Sequence, residues 1–212
     1  MPPERGSRFG EMVAAARELL ETEGHEALTM RRVAAQLGIR EPSLYKHCRS
    51  RDELLAGVVT SSMRELTEGR REALRGATDI HDALTRLAAY QRTFAARHPH
   101  LYRLMFDRPF PPELLATQVD AHAWHPMVEL LGSVERHWVA FAFSHGMLEL
   151  ERMGRLRPGP ELEAVWKVGL DAFAGIASPL DETAGGRELE AYRELVAELE
   201  VRIAAFRRSG EE

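Results

Sequence analysis

The 212-residue chain lacks the sequence features that mark secreted proteins, membrane proteins and most enzymes. Its single cysteine, Cys48, excludes an internal disulfide. No apolar run approaches the ~18 residues of a membrane span and no signal peptide is recognisable, so we expect a soluble, cytoplasmic protein. A glycine-rich phosphate loop, a serine nucleophile elbow and a pair of carboxylates suited to a cleft are also missing. The sequence therefore predicts no enzymatic activity and no cofactor.

Residue pairs with metal-ligand spacing are few. His145 and Glu149 are four residues apart and would share one helical face, and His122 and His125 are three apart. Neither pair is accompanied by the further ligands that a zinc site needs. No metal site is predicted.

Strand-like alternation and internal repeats are absent as well, and Ala, Leu, Arg and Glu dominate the chain. We therefore predict an all-α protein. Its length suffices for a small and a larger domain, which we place at residues 1–50 (three helices) and 51–212 (a helical bundle). A helix from residue 51 to about 74 would link the two. Further helices are predicted at 80–97, 98–106, 113–154 (with a kink or split at Pro126 and a boundary near Arg136), 162–176 and 187–208.

Residues 28–55 are the most informative stretch, because two short amphipathic segments flank a glycine there. The first segment has apolar residues at i, i+3, i+4 and i+7, namely Met30, Val33, Ala34 and Leu37. Thr29 precedes them with a hydroxyl that suits an N-cap. Gly38 follows them where a helix must end, since glycine enters the left-handed conformation at little cost.

The second segment begins at Arg40 and is predicted to be helical over Pro42–Cys48, since proline is acceptable at a first helical position. Its inward face comprises Ile39, Leu44 and Cys48. Its outward face comprises Ser43, Tyr45, Lys46 and His47. We interpret Cys48 as a small core residue rather than a redox switch, because no second thiol exists. An earlier helix, with an apolar stripe from Phe9 to Leu20 and an end at Gly24, would pack across both segments.

The charge of this stretch separates two interpretations of it. A helical hairpin without a nucleic-acid role and a DNA-binding helix-turn-helix would both use small residues where the helices cross. From Thr29 to Arg51, however, six basic residues accompany one acidic residue, so the local net charge is +5 in a chain whose net charge is −5. A positive island on an acidic protein is typical of phosphate binding. The sequence therefore favours DNA binding.

The same stretch closely resembles the DNA-binding domain of the TetR family of bacterial transcriptional regulators. The matching residues are Thr29, Arg31, Val33, Ala34, Leu37, Gly38, Ser43, Leu44, Tyr45, His47, Arg51, Asp52, Glu53 and Leu54. The resemblance implies that the second helix runs over the phosphate backbone and that the third enters the major groove.

Roles for individual side chains follow from that resemblance. Thr29 would contact a phosphate, and Arg31 would reach a guanine edge. Further phosphate contacts are implied for Tyr45, His47 and Arg51. The base-facing set would be Arg40, Glu41, Pro42, Ser43 and Lys46. Two interpretations of Glu41 stay open: it accepts a hydrogen bond from a cytosine amine, or it is a first-turn acid favoured by the helix dipole.

The larger part resembles a C-terminal domain of the TetR family named after a Trp-His-Gly signature. The resemblance rests on residues 98–106 and on Ser144–Leu150, although Phe141 stands where the tryptophan is expected and Trp138 lies one turn earlier. It implies a small effector bound between helices. It also implies dimerisation through helices at about Arg136–Gly154 and Leu162–Ile176.

Bulky apolar residues in this part allow two interpretations. They fill a helical core, or they line a largely apolar effector pocket with a few polar groups. The predicted lining residues are Phe94, Met105, Trp124, Met127, Trp138, Phe141 and His145. His145 is the polar candidate of that set, and its alternative role is packing where helices cross at Gly146.

These observations predict a homodimeric, ligand-responsive repressor. It would bind double-stranded DNA at a palindromic operator and be released by a small, largely apolar effector. The alternatives are an activator of the same family, a small-molecule-binding protein with incidental DNA affinity, and an enzyme with an appended DNA-binding domain.

Overall fold

The computed structural model describes residues 8–107 and 127–177. Within these ranges the regular secondary structure is helical and contains no strand, which confirms the all-α prediction. None of the described helices is both long enough and apolar enough to cross a membrane. The elements are α1 (Arg8–Glu23), a 3₁₀ turn (His25–Ala27), α2 (Met30–Gln36), α3 (Glu41–Leu44), α4 (Arg51–Leu74), α5 (Ile80–Arg97), α6 (Pro99–Phe106), α7 (Val134–Arg152) and α8 (Pro160–Ala177).

Most predicted helix boundaries within these ranges agree with the structure to within about two residues. The predicted C-terminal end of the third helix is wrong. The helix does not continue to Cys48: α3 ends at Leu44, and residues 45–47 form a turn. The carbonyl of Leu44 accepts from the amides of both His47 (2.9 Å) and Cys48 (3.0 Å), so the chain tightens immediately after α3.

The boundary expected near Arg136 lies slightly earlier. Gly132 has a φ of +72°, and the Ser133 hydroxyl caps α7 by accepting from the Arg136 amide at 3.3 Å. Residues 127–131 are helical before this break. The predicted kink at Pro126, the helix at 187–208 and the side chains of His122, Trp124 and His125 lie outside the described residues.

The chain divides into two compact units, and the first comprises Met1–Leu66 and Phe94–Asp120. In its described part α1 packs against α2 and α6, and α2 packs against α3. The core contains the fully buried side chains Met12, Leu20, Leu28, Val33, Leu44, Leu54, Leu55, Leu66, Leu101 and Tyr102. Charged contacts add to this packing: Arg17 pairs with Glu21 (2.8 Å) and Glu65, and Glu21 Oε1 lies 3.1 Å from Nδ1 of His98.

The second unit comprises Thr67–Thr93 and Ala121–Glu212. Here α7 packs on α8 through Phe143, whose ring contacts those of Trp166 (centroids 5.6 Å apart) and Phe173 (5.4 Å). This packing requires a glycine at Gly169, since a Cβ there would lie 2.0 Å from the Phe143 ring. Arg92 of α5 connects α5 to both α7 and α8.

Arg92 of α5 joins both helices of that pair. Its guanidinium donates to Glu163 of α8 at 2.8 and 2.9 Å and to Glu151 of α7 at 3.3 Å. It also lies over the indole of Trp166, 5.3 Å from the ring centroid. The Arg92 hydrogen bond lowers the pKa of the Glu163 carboxyl. These contacts fix the orientation of α5, α7 and α8 within the unit.

Both α7 and α8 leave an apolar stripe on the surface of this unit. On α7 it consists of Val139, Ala142, Gly146, Leu150 and Met153, and on α8 of Val165, Val168, Ala172 and Gly175. Gly146 is half-buried and the other residues are exposed. The spacing within each stripe is three or four residues, which is the spacing of a helix–helix contact. We refer to these nine residues as the α7–α8 stripe.

The core of the second unit also contains a polar cluster, formed by Arg70 of α4, Gln91 of α5 and His137 of α7. Nη2 of Arg70 donates to Oε1 of Gln91 at 3.3 Å. Burial, and secondly the positive charge of Arg70, lower the pKa of His137 to about 4. The imidazole is therefore neutral at pH 7.

The shifted pKa of His137 predicts acid sensitivity. Below about pH 6.5 the unfolded chain binds a proton at His137 that the native protein takes up only near pH 4, so this residue makes the free energy of unfolding fall as the pH drops through that interval. In urea titrations at pH 7, 6, 5 and 4, His137→Gln should show a shallower decline than the wild type. His47→Gln, a substitution of an exposed histidine, is the control and should keep the wild-type slope. Equal slopes in all three proteins would contradict the assignment.

Candidate nucleic-acid interface

The segment α2–turn–α3 has the local geometry that its sequence predicts. Thr29 caps α2, accepting from the Arg32 amide at 3.3 Å. At the other end Gly38 has a φ of +65°, its amide bonds to Ala35, and the Ile39 amide reaches back to the carbonyl of Ala34 at 3.0 Å. This pair of bonds is a Schellman motif, which requires a left-handed residue at Gly38. The glycine thus sets the direction in which the chain enters α3.

The ten predicted DNA-contacting residues differ in exposure. Those exposed to solvent are Thr29, Arg31, Arg40, Pro42, Tyr45, Lys46 and His47. Those half-buried are Glu41, Ser43 and Arg51. Because Leu44 and Cys48 are buried beneath them, α3 and the following turn keep a fixed inward face while presenting polar and aromatic groups outward. Such an arrangement suits contact with a nucleic acid.

Cys48 is buried, as predicted. Its Sγ donates to the carbonyl of Ser50 at 3.0 Å, and burial raises the pKa of the thiol. A protonated, buried thiol is a poor nucleophile, so its position agrees with a packing role.

Arg51 has a structural role that the sequence did not reveal. Its Nε donates to the carbonyl of Leu28 at 2.7 Å, and Nη2 donates to the carbonyl of His25 at 3.1 Å, with the His25 ring also 3.1 Å away. The first residue of α4 is thereby fastened to the chain that enters α2. Backbone carbonyl acceptors leave no sequence pattern, so only tertiary structure identifies this contact.

Arg32 is likewise engaged within the protein. Nη1 donates to Glu23 of α1 at 2.8 Å, and Nη2 makes a second bond to the same carboxylate. The pair lowers the pKa of Glu23 and raises that of Arg32. The exposed positive charge of α2, α3 and the residues that flank α3 therefore comes mainly from Arg31, Arg40, Lys46 and Arg49.

Replacing Arg51 by methionine should lower the free energy of unfolding by about 1–3 kcal/mol, since two carbonyls lose a charged donor. The control is Arg49→Met. The Arg49 side chain is 91 % exposed, and its guanidinium lies 3.6 Å from the carboxylate of Glu53, which is too far for a hydrogen bond. Urea denaturation of both variants measures the difference. Equal, small losses would contradict the structural role of Arg51.

The predicted effector-lining residues fall in both units. Phe94 and Met105 are buried in the first unit. In the second unit the ring of Phe141 stacks on that of His145 (centroids 5.6 Å apart, planes at 10°) and meets Trp138 edge-on at 5.9 Å. Met127 is half-buried and Trp138 is exposed. The role of these residues in effector binding stays a prediction.

Comparisons with known proteins agree with the helix-turn-helix geometry. Residues 12–58 match the model of the bacterial regulatory proteins of the tetR family, and residues 84–173 match the model of the tetracyclin repressor-like C-terminal domain. An uncharacterized HTH-type transcriptional regulator of Mycobacterium tuberculosis is 30 % identical over 155 residues, which are 68 % of this chain and 69 % of that protein. The chain belongs to the TetR family. The Trp-His-Gly type of its C-terminal domain stays a prediction.

Two further similarities place this TetR-family chain among DNA-binding regulators. The HTH-type transcriptional activator FasR of Mycolicibacterium smegmatis is 31 % identical over 109 residues, 51 % of this chain and 50 % of FasR, so the chain matches half the length of that relative. A crystal structure of a TetR variant from Acinetobacter baumannii AYE, in complex with minocycline, is 26 % identical with a TM-score of 0.52. It covers 77 % of this chain and 92 % of that one.

Proposed function

We propose that the protein is a homodimeric, ligand-responsive transcriptional repressor. Residues 1–50 would form its DNA-binding domain and residues 51–212 its effector-binding and dimerisation domain. It would hold a palindromic operator and release it when a small-molecule effector binds, because the effector favours a dimer geometry with the wrong spacing. The observation that carries the proposal is the exposure of Arg31, Arg40, Tyr45 and Lys46 on a capped helix-turn-helix.

The DNA contacts follow from position and chemistry. Phosphate contacts are proposed for Thr29, Tyr45, His47 and Arg51. The bonds of Arg51 to Leu28 and His25 place its guanidinium beside the N-cap of α2, where the Thr29 contact is also proposed. Base contacts are proposed for Arg31, Arg40, Glu41, Pro42, Ser43 and Lys46. Since Glu41 is the first residue of α3 and only half-buried, both of its roles remain compatible with its position.

Dimerisation is proposed through the α7–α8 stripe. The nine apolar or glycine residues lie on two helices that pack against each other, and a group of exposed apolar residues of this kind is typical of an interaction surface. Among the described residues, a Cβ at Gly146 or Gly175 would meet no atom within 4 Å, so neither glycine is needed for packing against the described part of the unit. Glycines at such positions allow two helices to approach closely. A second copy of the chain is the proposed partner.

Effector binding is proposed for the second domain, with Phe94, Met105, Trp124, Met127, Trp138, Phe141 and His145 as lining residues. The support is the large number of apolar and aromatic side chains, together with the minocycline complex of the TetR variant. An activator role is the second candidate, because FasR is an activator. A reporter gene behind the operator separates the two, since deletion of the regulator raises transcription for a repressor and lowers it for an activator.

A gel shift on the DNA upstream of the protein's own gene tests the proposed function. The wild type should bind there, and log K should fall linearly with log salt concentration by about 0.9 per phosphate contacted. Tyr45→Ala should weaken binding, and Tyr45→Phe shows whether the hydroxyl or the ring is responsible. Undiminished binding by Tyr45→Ala would count against the proposed interface. Binding without any sequence preference would instead support a small-molecule-binding protein with incidental DNA affinity.

A further inference from the structure

Arg49 carries an exposed positive charge between two of the proposed phosphate contacts. His47 precedes it by two residues, and Arg51 follows it by two. Its side chain is 91 % exposed. Because two residues of extended chain span at most ~7 Å, the Arg49 backbone lies close to that of both proposed contacts.

The backbone on both sides of Arg49 is held in place. The Arg49 amide donates to the Glu53 carboxylate at 2.5 Å, and the Ser50 hydroxyl accepts from the Glu53 amide at 3.1 Å. These reciprocal bonds resemble a capping box, with the amide of the residue before the N-cap as the second donor. On the other side, Cys48 is buried and its thiol donates to the carbonyl of Ser50 at 3.0 Å. The point from which the Arg49 side chain leaves the protein is therefore fixed before DNA binds.

The guanidinium of Arg49 is held less firmly within the protein than that of Arg32. Its Nη2 atom lies 3.6 Å from the Glu53 carboxylate, beyond hydrogen-bond distance, and an ion pair this exposed contributes little to stability. Arg32, by contrast, donates two hydrogen bonds to the carboxylate of Glu23. Arg49 therefore gives up less than Arg32 would when its guanidinium turns to a new partner.

An exposed guanidinium at this place suits a phosphate of the DNA backbone. Its planar shape matches a phosphate group with two parallel hydrogen bonds. In helix-turn-helix proteins the first residues of the recognition helix reach the base edges. Arg49 lies beyond the turn that follows α3, just before α4 begins. Its position and charge therefore favour the backbone over a base.

We propose that Arg49 of each subunit binds a DNA phosphate next to those contacted by His47 and Arg51. This inference rests on the proposed function, whose set of DNA-contacting residues it extends. The contact does not depend on the base sequence, so it strengthens binding to any duplex and orients the helix-turn-helix on the operator. The choice of operator is left to the residues of α2 and α3.

The salt dependence of DNA binding tests this contact. Fluorescence anisotropy gives Kd for the full-length wild type and Arg49→Gln, on the DNA upstream of the gene and on a random-sequence duplex of equal length. Each phosphate contact adds about 0.9 to the slope of log K against log salt, so a dimer that loses one contact per subunit should lose about 1.8. Between about 50 and 200 mM salt, the affinity deficit of Arg49→Gln should therefore shrink roughly tenfold. An unchanged slope would overturn the proposal.

Two further variants separate a phosphate contact from other effects. Arg49→Lys keeps the charge and should retain most of the slope, since lysine also binds phosphate. Arg71→Gln removes a charge from an exposed position on α4, outside the helix-turn-helix, and should keep the wild-type slope. Equal reductions in Arg49→Gln and Arg71→Gln would show that only net charge matters. A relaxed preference of Arg49→Gln at one operator position would assign Arg49 to a base, and either result would overturn the proposal.

The failure of this proposal is distinguishable from that of the proposed function. A sequence-specific operator complex whose slope is unchanged in Arg49→Gln would retain the regulator and overturn the Arg49 contact. A reduced slope on both DNAs, without preference for the upstream DNA, would retain the contact and count against the regulator. A reduction of about 0.9 instead of about 1.8 would retain the contact in a protein that binds DNA as a monomer.

Discussion

Val168→Asp is expected to convert the protein into a monomer and to reduce operator affinity by at least about 100-fold. Val168 is 70 % exposed and lies in the middle of the α8 part of the α7–α8 stripe. In the proposed dimer it becomes buried, and a carboxylate placed there would be buried without a partner. A monomer binds a single half-site. It therefore loses the gain in affinity that a dimer obtains because, once one subunit is bound, the other binds its half-site intramolecularly.

Sedimentation velocity and fluorescence anisotropy with the upstream DNA measure the two effects of Val168→Asp. The matched control is Ala89→Asp, which introduces the same charge at an exposed position of α5 outside the stripe. It should leave the mass and the affinity unchanged. A Val168→Asp protein that remains a dimer and binds like the wild type would show that the stripe is not the interface.

Arg31→Ala is expected to weaken operator binding by about 1–3 kcal/mol, or roughly tenfold to more than a hundredfold. Arg31 is exposed on α2, next to Arg32, whose guanidinium is held by Glu23. Loss of a bidentate contact to guanine should also relax the preference at one position of each half-site. Because the side chain is exposed, the free energy of unfolding should stay within about 0.5 kcal/mol of the wild type.

Arg71→Ala is the control for Arg31→Ala, since it removes the same charge from an exposed position on α4, outside the helix-turn-helix. It should have little effect on affinity. Competition gel shifts with operators altered at single positions measure both affinity and preference. Equal losses in the two variants would indicate that only net charge matters, and would contradict a base contact by Arg31.

The elements that the sequence predicted well are those determined by local chemistry. The ends of α1 and α2 follow from Gly24 and Gly38, both of which have a positive φ in the structure. The bounds of α4, α5 and α6 follow from hydrophobic periodicity and from Pro99 at the first position of a helix. The end of α3 could not be predicted in this way, because residues 45–48 permit a helix by their local chemistry, whereas in the structure residues 45–47 form a turn in which the Leu44 carbonyl accepts from both His47 and Cys48.

Contacts between residues far apart in the chain could not be predicted from the sequence. The bonds of Arg51 to Leu28 and His25 and the pair of Arg32 with Glu23 depend on how α1, α2 and α4 pack. The same holds for the polar cluster, whose members are separated by 21 and 46 residues in the sequence. Hydrophobic periodicity indicates which face of a helix is buried, but it does not indicate which polar groups meet inside the core.

Selection of bound sequences from a random DNA pool by the full-length protein tests the central claim most directly. The proposed homodimer should enrich a palindromic consensus whose half-site centres are one helical turn, about 34–36 Å, or a multiple of it apart. Arg31→Ala should enrich the same palindrome with one position relaxed in each half. A pool that yields no consensus, or a single unrepeated half-site, would contradict a dimeric operator-binding regulator.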